Sequence, residues 1–211
     1  MHFRDRADAG RQLGEALKPR YGDRPDVLIL ALPRGGVPVA YEVSRILNAP
    51  LDIFVVRKLG VPGHEELAMG AIATGGAIVF NDEVVNSLGI PRSAIDKVIV
   101  RERRELERRE RDYRGDRPPP EVKDRTVILV DDGLATGASM HAAVQAVRAL
   151  GPAAIVIAVP AAGKSTCARL RPYVNDIVCV IMPEPFYAVS AWYDDFSQTT
   201  DEEVASMMVS E

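Results

Sequence analysis

The chain has 211 residues, 47% of them hydrophobic, and a formal net charge of −4. That length suits one α/β domain over residues 1–211 with a core that needs no disulfides, and the two cysteines, Cys167 and Cys179, read as reduced thiols of a reducing compartment. The acid excess argues against a general nucleic-acid role, the charged opening MHFRDRADAG against a secretory signal, and the lack of a bilayer-length apolar run against a membrane span, so the expectation is a cytoplasmic protein with neither nucleic acid nor membrane as partner.

Along the chain, apolar strands alternate with amphipathic helices, the pattern of a parallel sheet wrapped by helices. A first helix is predicted over residues 7–17, with Leu13 and Leu17 on one face. A buried strand over 26–32 runs into Pro33-Arg34-Gly35-Gly36, and a helix follows over 37–47. The second strand is expected at 51–56, followed by a polar loop over 57–68. Two short strands near 69–73 and 77–80, with Thr74-Gly75-Gly76 between them, read as a hairpin. Residues 92–113 read as a long charged helix, ended by Pro118-Pro119-Pro120. Strands at 127–130, 154–159 and 177–181, with helices at 137–150 and 164–170, complete the regular part. Residues 182–197 are irregular and hold many of the aromatics.

The densest chemistry lies in VILVDDGLATGAS, residues 127–139. Ligands of a parallel sheet collect beyond the carboxyl ends of its strands, which is where Asp131 and Asp132 leave theirs. Two adjacent carboxylates can accept hydrogen bonds from vicinal hydroxyls such as those of a ribose. The amides of residues 136–139 then open a helix, where unpaired N–H groups and the helix dipole favour phosphate. Gly137 permits close backbone approach, and Thr136 and Ser139 add hydroxyl donors. A nucleotide hydrolase offers a different reading, with Asp131-Asp132 as a Walker B pair. It requires a Walker A loop, and the nearest candidate, residues 158–165, has Ala158 where its first glycine belongs and is stiffened by Pro160.

The order of an apolar strand, two acids, a short spacer and Thr-Gly resembles the motif of the type I phosphoribosyltransferases, matched at Asp131, Asp132, Ala135, Thr136, Gly137, Ala138 and Ser139. The whole pattern is most similar to the uncharacterised bacterial phosphoribosyltransferase-like proteins. The resemblance implies a parallel-sheet core with helices on both faces, a small hood at about 182–197 and an extra charged helix at about 92–113. It implies binding of 5-phosphoribosyl 1-pyrophosphate, with Mg2+ supported by Asp131 and Asp132, and transfer of the phosphoribosyl group to a nitrogenous base. A homodimer is compatible with it. Hypoxanthine and guanine transferases of the family commonly place an acid just before the Thr; Ala135 stands there in this chain and moves 6-oxopurines out of the front rank. A non-catalytic regulator that binds the same donor is the alternative, and hydrolysis of a phosphorylated sugar a further rival.

Other constellations fit around the motif. Arg34, Gly35 and Gly36 form an anion-binding turn at the place of the family's pyrophosphate loop, which often holds a non-proline cis peptide. Arg57 and Lys58 close the second strand and can neutralise a leaving pyrophosphate, which gives them, with the acid pair, the catalytic roles. The segment holding Gly60, His64 and Glu65 resembles the family's flexible catalytic loop. In the hood, Phe186, Tyr187 and Trp192 can stack on a base or pack the C-terminus onto the core. The charged helix holds six arginines against four glutamates and an aspartate over residues 101–112. Its Ile95, Ile99, Leu106 and Tyr113, spaced four, seven and seven, make one narrow apolar seam, so it reads as a packing or dimer-contact helix.

Overall fold

The computed structural model describes residues 2–209. Its centre is a five-stranded parallel sheet in the order β2-β1-β6-β7-β8, built from β1 (Val27–Ala31), β2 (Leu51–Ile53), β6 (Thr126–Val130), β7 (Ala154–Ala161) and β8 (Asp176–Ile181). β1 and β6 are buried along their whole length, which is why both read as unbroken apolar runs. Alternate residues serve two cores. Val27, Ile29, Ile128 and Val130 face one side, where α1 (Arg6–Tyr21) and α2 (Gly36–Leu47) lay down Leu13, Leu17, Val39 and Val43. Leu28, Leu30, Val127 and Leu129 face the other, against Met140, Val144 and Val147 of α5 (Ala138–Arg148) and Leu170 of α6 (Lys164–Leu170). The expected parallel core with helices on both faces is present.

Between β2 and β6 the chain departs from the sequence reading. The polar loop expected over 57–68 is a hairpin: β3 (Val56–Val61) pairs antiparallel with β4 (His64–Ala73), and the β4–β5 turn leads to β5 (Ile78–Phe80). Arg57 and Lys58 therefore lie in a second, three-stranded sheet, since β2 already ends at Ile53. Thr74, fully buried, ties this sheet to the end of β2 by accepting the Val55 N–H at 2.8 Å. The expected turn at Thr74-Gly75-Gly76 is a 3-10 turn. Two helices lay outside the reading, α3 (Asp82–Leu88) and α7 (Asp201–Val209), and α1 runs one turn further than expected. Its last turn is held to β8 by Tyr21, whose hydroxyl donates to Asp176 Oδ2 at 2.7 Å, and by Arg20 on the same carboxylate. No described helix is long and apolar enough to cross a membrane, and both cysteines are free.

The charged helix is α4 (Arg92–Arg114), and its seam residues Ile95, Ile99, Leu106 and Tyr113 are all buried. It packs on β3, β4 and α7. Its C-terminal end is pinned by Arg114, whose Nε and Nη2 donate to the two oxygens of Asp52 on β2 at 2.7 and 2.9 Å. The Arg114 side chain is 2% exposed, so this two-pronged pair is an internal clamp rather than a surface contact. Removing one partner leaves the other charge buried without compensation. Arg114→Ala is expected to lower unfolding free energy by about 3 kcal/mol. Denaturant unfolding checks this: the double variant Arg114→Ala, Asp52→Asn is expected to lose less than the sum of the two single changes.

Candidate active site

β1 and β6 are neighbours, with Ala31 opposite Val130, while the chain's progression through the sheet runs outward from β1 in both directions. The crevice at their carboxyl ends is thus the switch point of the sheet, where two loops diverge and leave room for a ligand. Both motif loops open there. The turn at 33–36 follows β1 and the segment 131–137 follows β6. They interlock: a Cβ on Gly35 would lie 2.2 Å from Asp132 Oδ2, and one on Gly36 would lie 2.7 Å from the Val130 carbonyl oxygen. Only glycine lets the first turn rest on the acids. The Pro33-Arg34 peptide is cis.

The two acids have different surroundings. Asp132 Oδ2 accepts from Arg6 Nε at 3.0 Å. Arg6 also donates to the Ser197 carbonyl at 2.5 Å and lies over the Phe196 ring, 4.0 Å from its centre. Asp131 forms no ion pair among the described residues; its Oδ1 accepts the Asp132 N–H at 2.8 Å. Burial, reinforced by the neighbouring Asp132 charge, pushes the Asp131 carboxyl well above the ordinary carboxylate range. Burial also raises Asp132, with Arg6 opposing. No cluster of three or more metal-ligating side chains occurs among the described residues. The protein thus offers one uncompensated carboxylate, a donor set that suits a hard cation sharing its other ligands with a bound phosphate and water.

The segment after the acids opens a helix, as expected from the sequence. Gly137, at φ 76°, turns the chain into α5, whose amino end carries no side-chain cap. The Ala138 amide is met by Thr136 Oγ1 at 3.3 Å. The first backbone bond of the helix is His141 N–H to the Gly137 carbonyl at 2.8 Å, and the amides of Ser139 and Met140 have no protein acceptor among the described residues. Ala135 and Thr136 are exposed, with their carbonyls held by Thr166 Oγ1 and Arg169 Nη2.

A cavity of about 430 Å³ joins Asp131 and Ser139 to Pro33, Arg57 and Lys58. Asp131 and the two cations expected of the second strand therefore meet, although the cations arrive from the second sheet. Arg57 is not free in it. Its Nε donates to Glu102 Oε2 of α4 at 2.9 Å. Arg34 faces elsewhere, with Nη1 3.7 Å from Asp201 Oδ1 at the start of α7, and does not line this cavity. His64 and Glu65 lie exposed at the hairpin end and do not line it, and neither does Gly60, whose place is a bulge in β3.

The hood is divided. Phe186 and Trp192 stack on each other, 6.4 Å between centres at 16°, and Trp192 meets His2 edge-on, while Tyr187 is 85% exposed. A second cavity, of about 750 Å³, runs from Ala135 and Thr136 past Lys164 to Phe186. The stretch 158–165 forms no nucleotide loop, because β7 continues to Ala161 and α6 starts at Lys164.

A phosphoribosyl transferase domain model matches residues 63–192. The chain belongs to the phosphoribosyl transferase family. It is 45% identical over 206 residues, 98% of its length, to a protein of Mycobacterium tuberculosis H37Rv whose name gives phosphoribosyl transferase as a provisional function. That alignment takes in 46% of the mycobacterial protein, so the chain spans about half the length of the curated relatives it matches. The crystal structure of TT1426 from Thermus thermophilus is 42% identical with a TM-score of 0.88, covering 100% of this chain and 99% of that one. A hypothetical protein of Neisseria gonorrhoeae, solved with bound ppGpp, shares the fold at 12% identity and a TM-score of 0.52, over 100% and 98% of the two chains.

Several residues of this phosphoribosyl transferase domain that touch the site were outside the sequence reading. Arg6 reaches Asp132 from α1; Tyr193, expected only as a hood aromatic able to stack on a base, instead donates its hydroxyl to the Asp132 carbonyl at 2.6 Å. Phe3 pairs with the hood by backbone bonds to Trp192 and Asp194. These contacts span most of the chain, and no local pattern carries them. Arg109 and Glu102 come from α4, and for them a signal exists: both fall in register with the apolar seam of the helix.

The state of Asp131 has a measurable consequence. The folded chain holds this proton more tightly than the unfolded one, so stability falls as pH rises from the ordinary value near 3.8 toward the raised one. Asp131→Asn keeps the shape and the oxygen that accepts the Asp132 amide. It is expected to flatten that decline and to raise the melting temperature at neutral pH, by about 2–4 °C per kcal/mol released. Thermal melts of both proteins from acid to neutral pH check this.

Proposed function

We propose that the domain binds 5-phosphoribosyl 1-pyrophosphate and transfers its phosphoribosyl group to a nitrogenous base, releasing pyrophosphate. The observation that carries this reading is the cavity uniting Asp131 and Ser139 with Arg57 and Lys58 at the switch point of the sheet. Asp131 and Asp132 accept the ribose hydroxyls. The free amides of Ser139 and Met140, with Thr136, take the 5-phosphate. Arg57 and Lys58 face the pyrophosphate. A magnesium ion brought by the donor, held through Asp131 and Asp132, would supply charge neutralisation on the phosphate oxygens.

In the reaction a nitrogen of the base bonds to C1 of the ribose as the C1–oxygen bond breaks, and that electron pair leaves on pyrophosphate. The nitrogen's proton passes to solvent. Positive charge develops at C1 and the ring oxygen, close to the acid pair, and no covalent intermediate with the protein is required. The acceptor fits the larger cavity between Ala135 and Phe186, with Lys164 at its rim. Lacking an acid at position 135, this cavity suits acceptors other than 6-oxopurines.

The test combines the full chain, the donor, Mg2+ and a panel of purines, pyrimidines and other nitrogen heterocycles, and measures pyrophosphate release. Release is expected with at least one base. It is expected to fall at least about a hundredfold in the double variant Asp131→Asn, Asp132→Asn. Saturable donor binding with no release on any base would convert the reading to a non-catalytic regulator, and undiminished binding in the double variant would remove the site assignment.

A further inference from the structure

The apolar seam of α4 contains two gaps, between Ile99 and Leu106 and between Leu106 and Tyr113. Positions 102 and 109 fill them, so that 95, 99, 102, 106, 109 and 113 advance by four and three in turn and share one face of the helix. Those two positions are Glu102 and Arg109. The Glu102 side chain is 12% exposed, so its charge costs desolvation unless something meets it, whereas that of Arg109 is 41% exposed. Glu102 is met by Arg57, through Nε and Nη2, both at 2.9 Å. Arg109 is met only in part. Its Nε donates to Glu105 Oε1 at 3.1 Å, one turn back, while Nη1 and Nη2 have no acceptor among the described residues. Arg109 lines the same 430 Å³ cavity as Asp131, Lys58 and Ser139.

We infer that Arg109, presented by the inserted helix, is a binding residue for the pyrophosphate group of the donor. The inference rests on the donor reading above and assigns α4 a part in the site. A guanidinium with both terminal nitrogens free matches a phosphate by a paired, planar contact that a single ammonium does not reproduce. Its carrier is rigid. Arg114 is clamped to Asp52 five residues on, and the Tyr113 hydroxyl donates to Asp201 at 3.0 Å, so the rotation of the helix about its axis is fixed at the site. The position is also left open by its neighbours. Arg34, the arginine of the turn after β1, is drawn toward Asp201, and Arg57 toward Glu102. Arg109 and Lys58 are then the cations of this cavity whose terminal nitrogens are not engaged by a carboxylate among the described residues.

The test is direct binding to the full chain, with Mg2+, of three probes: 5-phosphoribosyl 1-pyrophosphate, inorganic pyrophosphate and ribose 5-phosphate. Arg109→Ala is expected to weaken the first two by about tenfold to a hundredfold, the worth of a charge-assisted hydrogen-bonded contact. Ribose 5-phosphate is expected to change by less than about twofold, as for a site with no shared partner. Arg109→Met, which keeps the aliphatic stem, carries the same expectation and serves if the alanine variant does not fold. Arg109→Lys is expected to fall between, and Arg103→Ala, on the exposed side of the same helix, to bind as wild type. Unchanged pyrophosphate binding in the Arg109 variants overturns the inference while leaving the donor reading in place. Equal losses for all three probes also overturn it, because they mark general damage. A wild-type chain that binds none of the probes removes the donor reading and the inference together.

Discussion

The contact between the Gly35-Gly36 turn and the acid pair is the constraint around which this molecule is arranged. A side chain at either glycine would have to occupy the space of the Asp132 carboxylate or the Val130 carbonyl. Because β1 and β6 are adjacent, their two exit loops are forced together, and both become rigid by leaning on each other. The acids are then held at the end of the sheet, with Asp131 lining one cavity with Ser139 of α5. The cost is electrostatic. Two carboxyls share one partly buried place with a single arginine, Arg6, tied to one of them. Such a site is poised for a ligand that brings hydroxyl donors and cations with it, and it is less stable when empty of them.

Around that centre, elements remote in sequence act as walls. Residues near the beginning of the chain pair with the hood and send Arg6 to Asp132, so the hood is tied to the acids through Arg6 and Tyr193. On the opposite side, α4 covers the three-stranded sheet and reaches the cavity. The charges there are arranged in pairs, Arg57 with Glu102 and Arg34 with Asp201, which limits the net positive field in the absence of an anion. An anion entering the cavity would compete with Glu102 for Arg57.

Legibility in the sequence followed burial. β1 and β6 are covered on both faces and could be read as apolar runs; the loop after β6 could be read because an acid pair and small residues succeed such a run. The hairpin of β3 and β4 was missed for the opposite reason. Residues 64–67 are exposed, and Arg57, Lys58, Glu65 and Glu66 break any alternation that would betray a strand. α3 buries no residue and so leaves no periodic trace beyond its Asn81 cap. α7 did leave one, an acidic first turn followed by Val204 and Met208 at a spacing of four, both buried. The structure brings Arg57 and Lys58 to the cavity of Asp131 and leaves Arg34 outside it; the engagement of the two arginines is not legible in the sequence, because their partners Glu102 and Asp201 lie 45 and 167 positions away in the chain.

The stripe on α4 ties the site to arithmetic. Six positions from Ile95 to Tyr113 share a single side of the helix, and the two charged ones sit a full seven residues apart. Each residue advances the helix by about 100°, so deleting or inserting one residue between Leu106 and Tyr113 would swing one part of the stripe out toward water and bury a solvent-facing charge in its stead. Length change in this helix is therefore tolerable only in units close to whole heptads, and the segment is closed to the drift that surface insertions ordinarily enjoy. A long charged helix that looks like the most dispensable part of the chain is in this respect among the least free to vary.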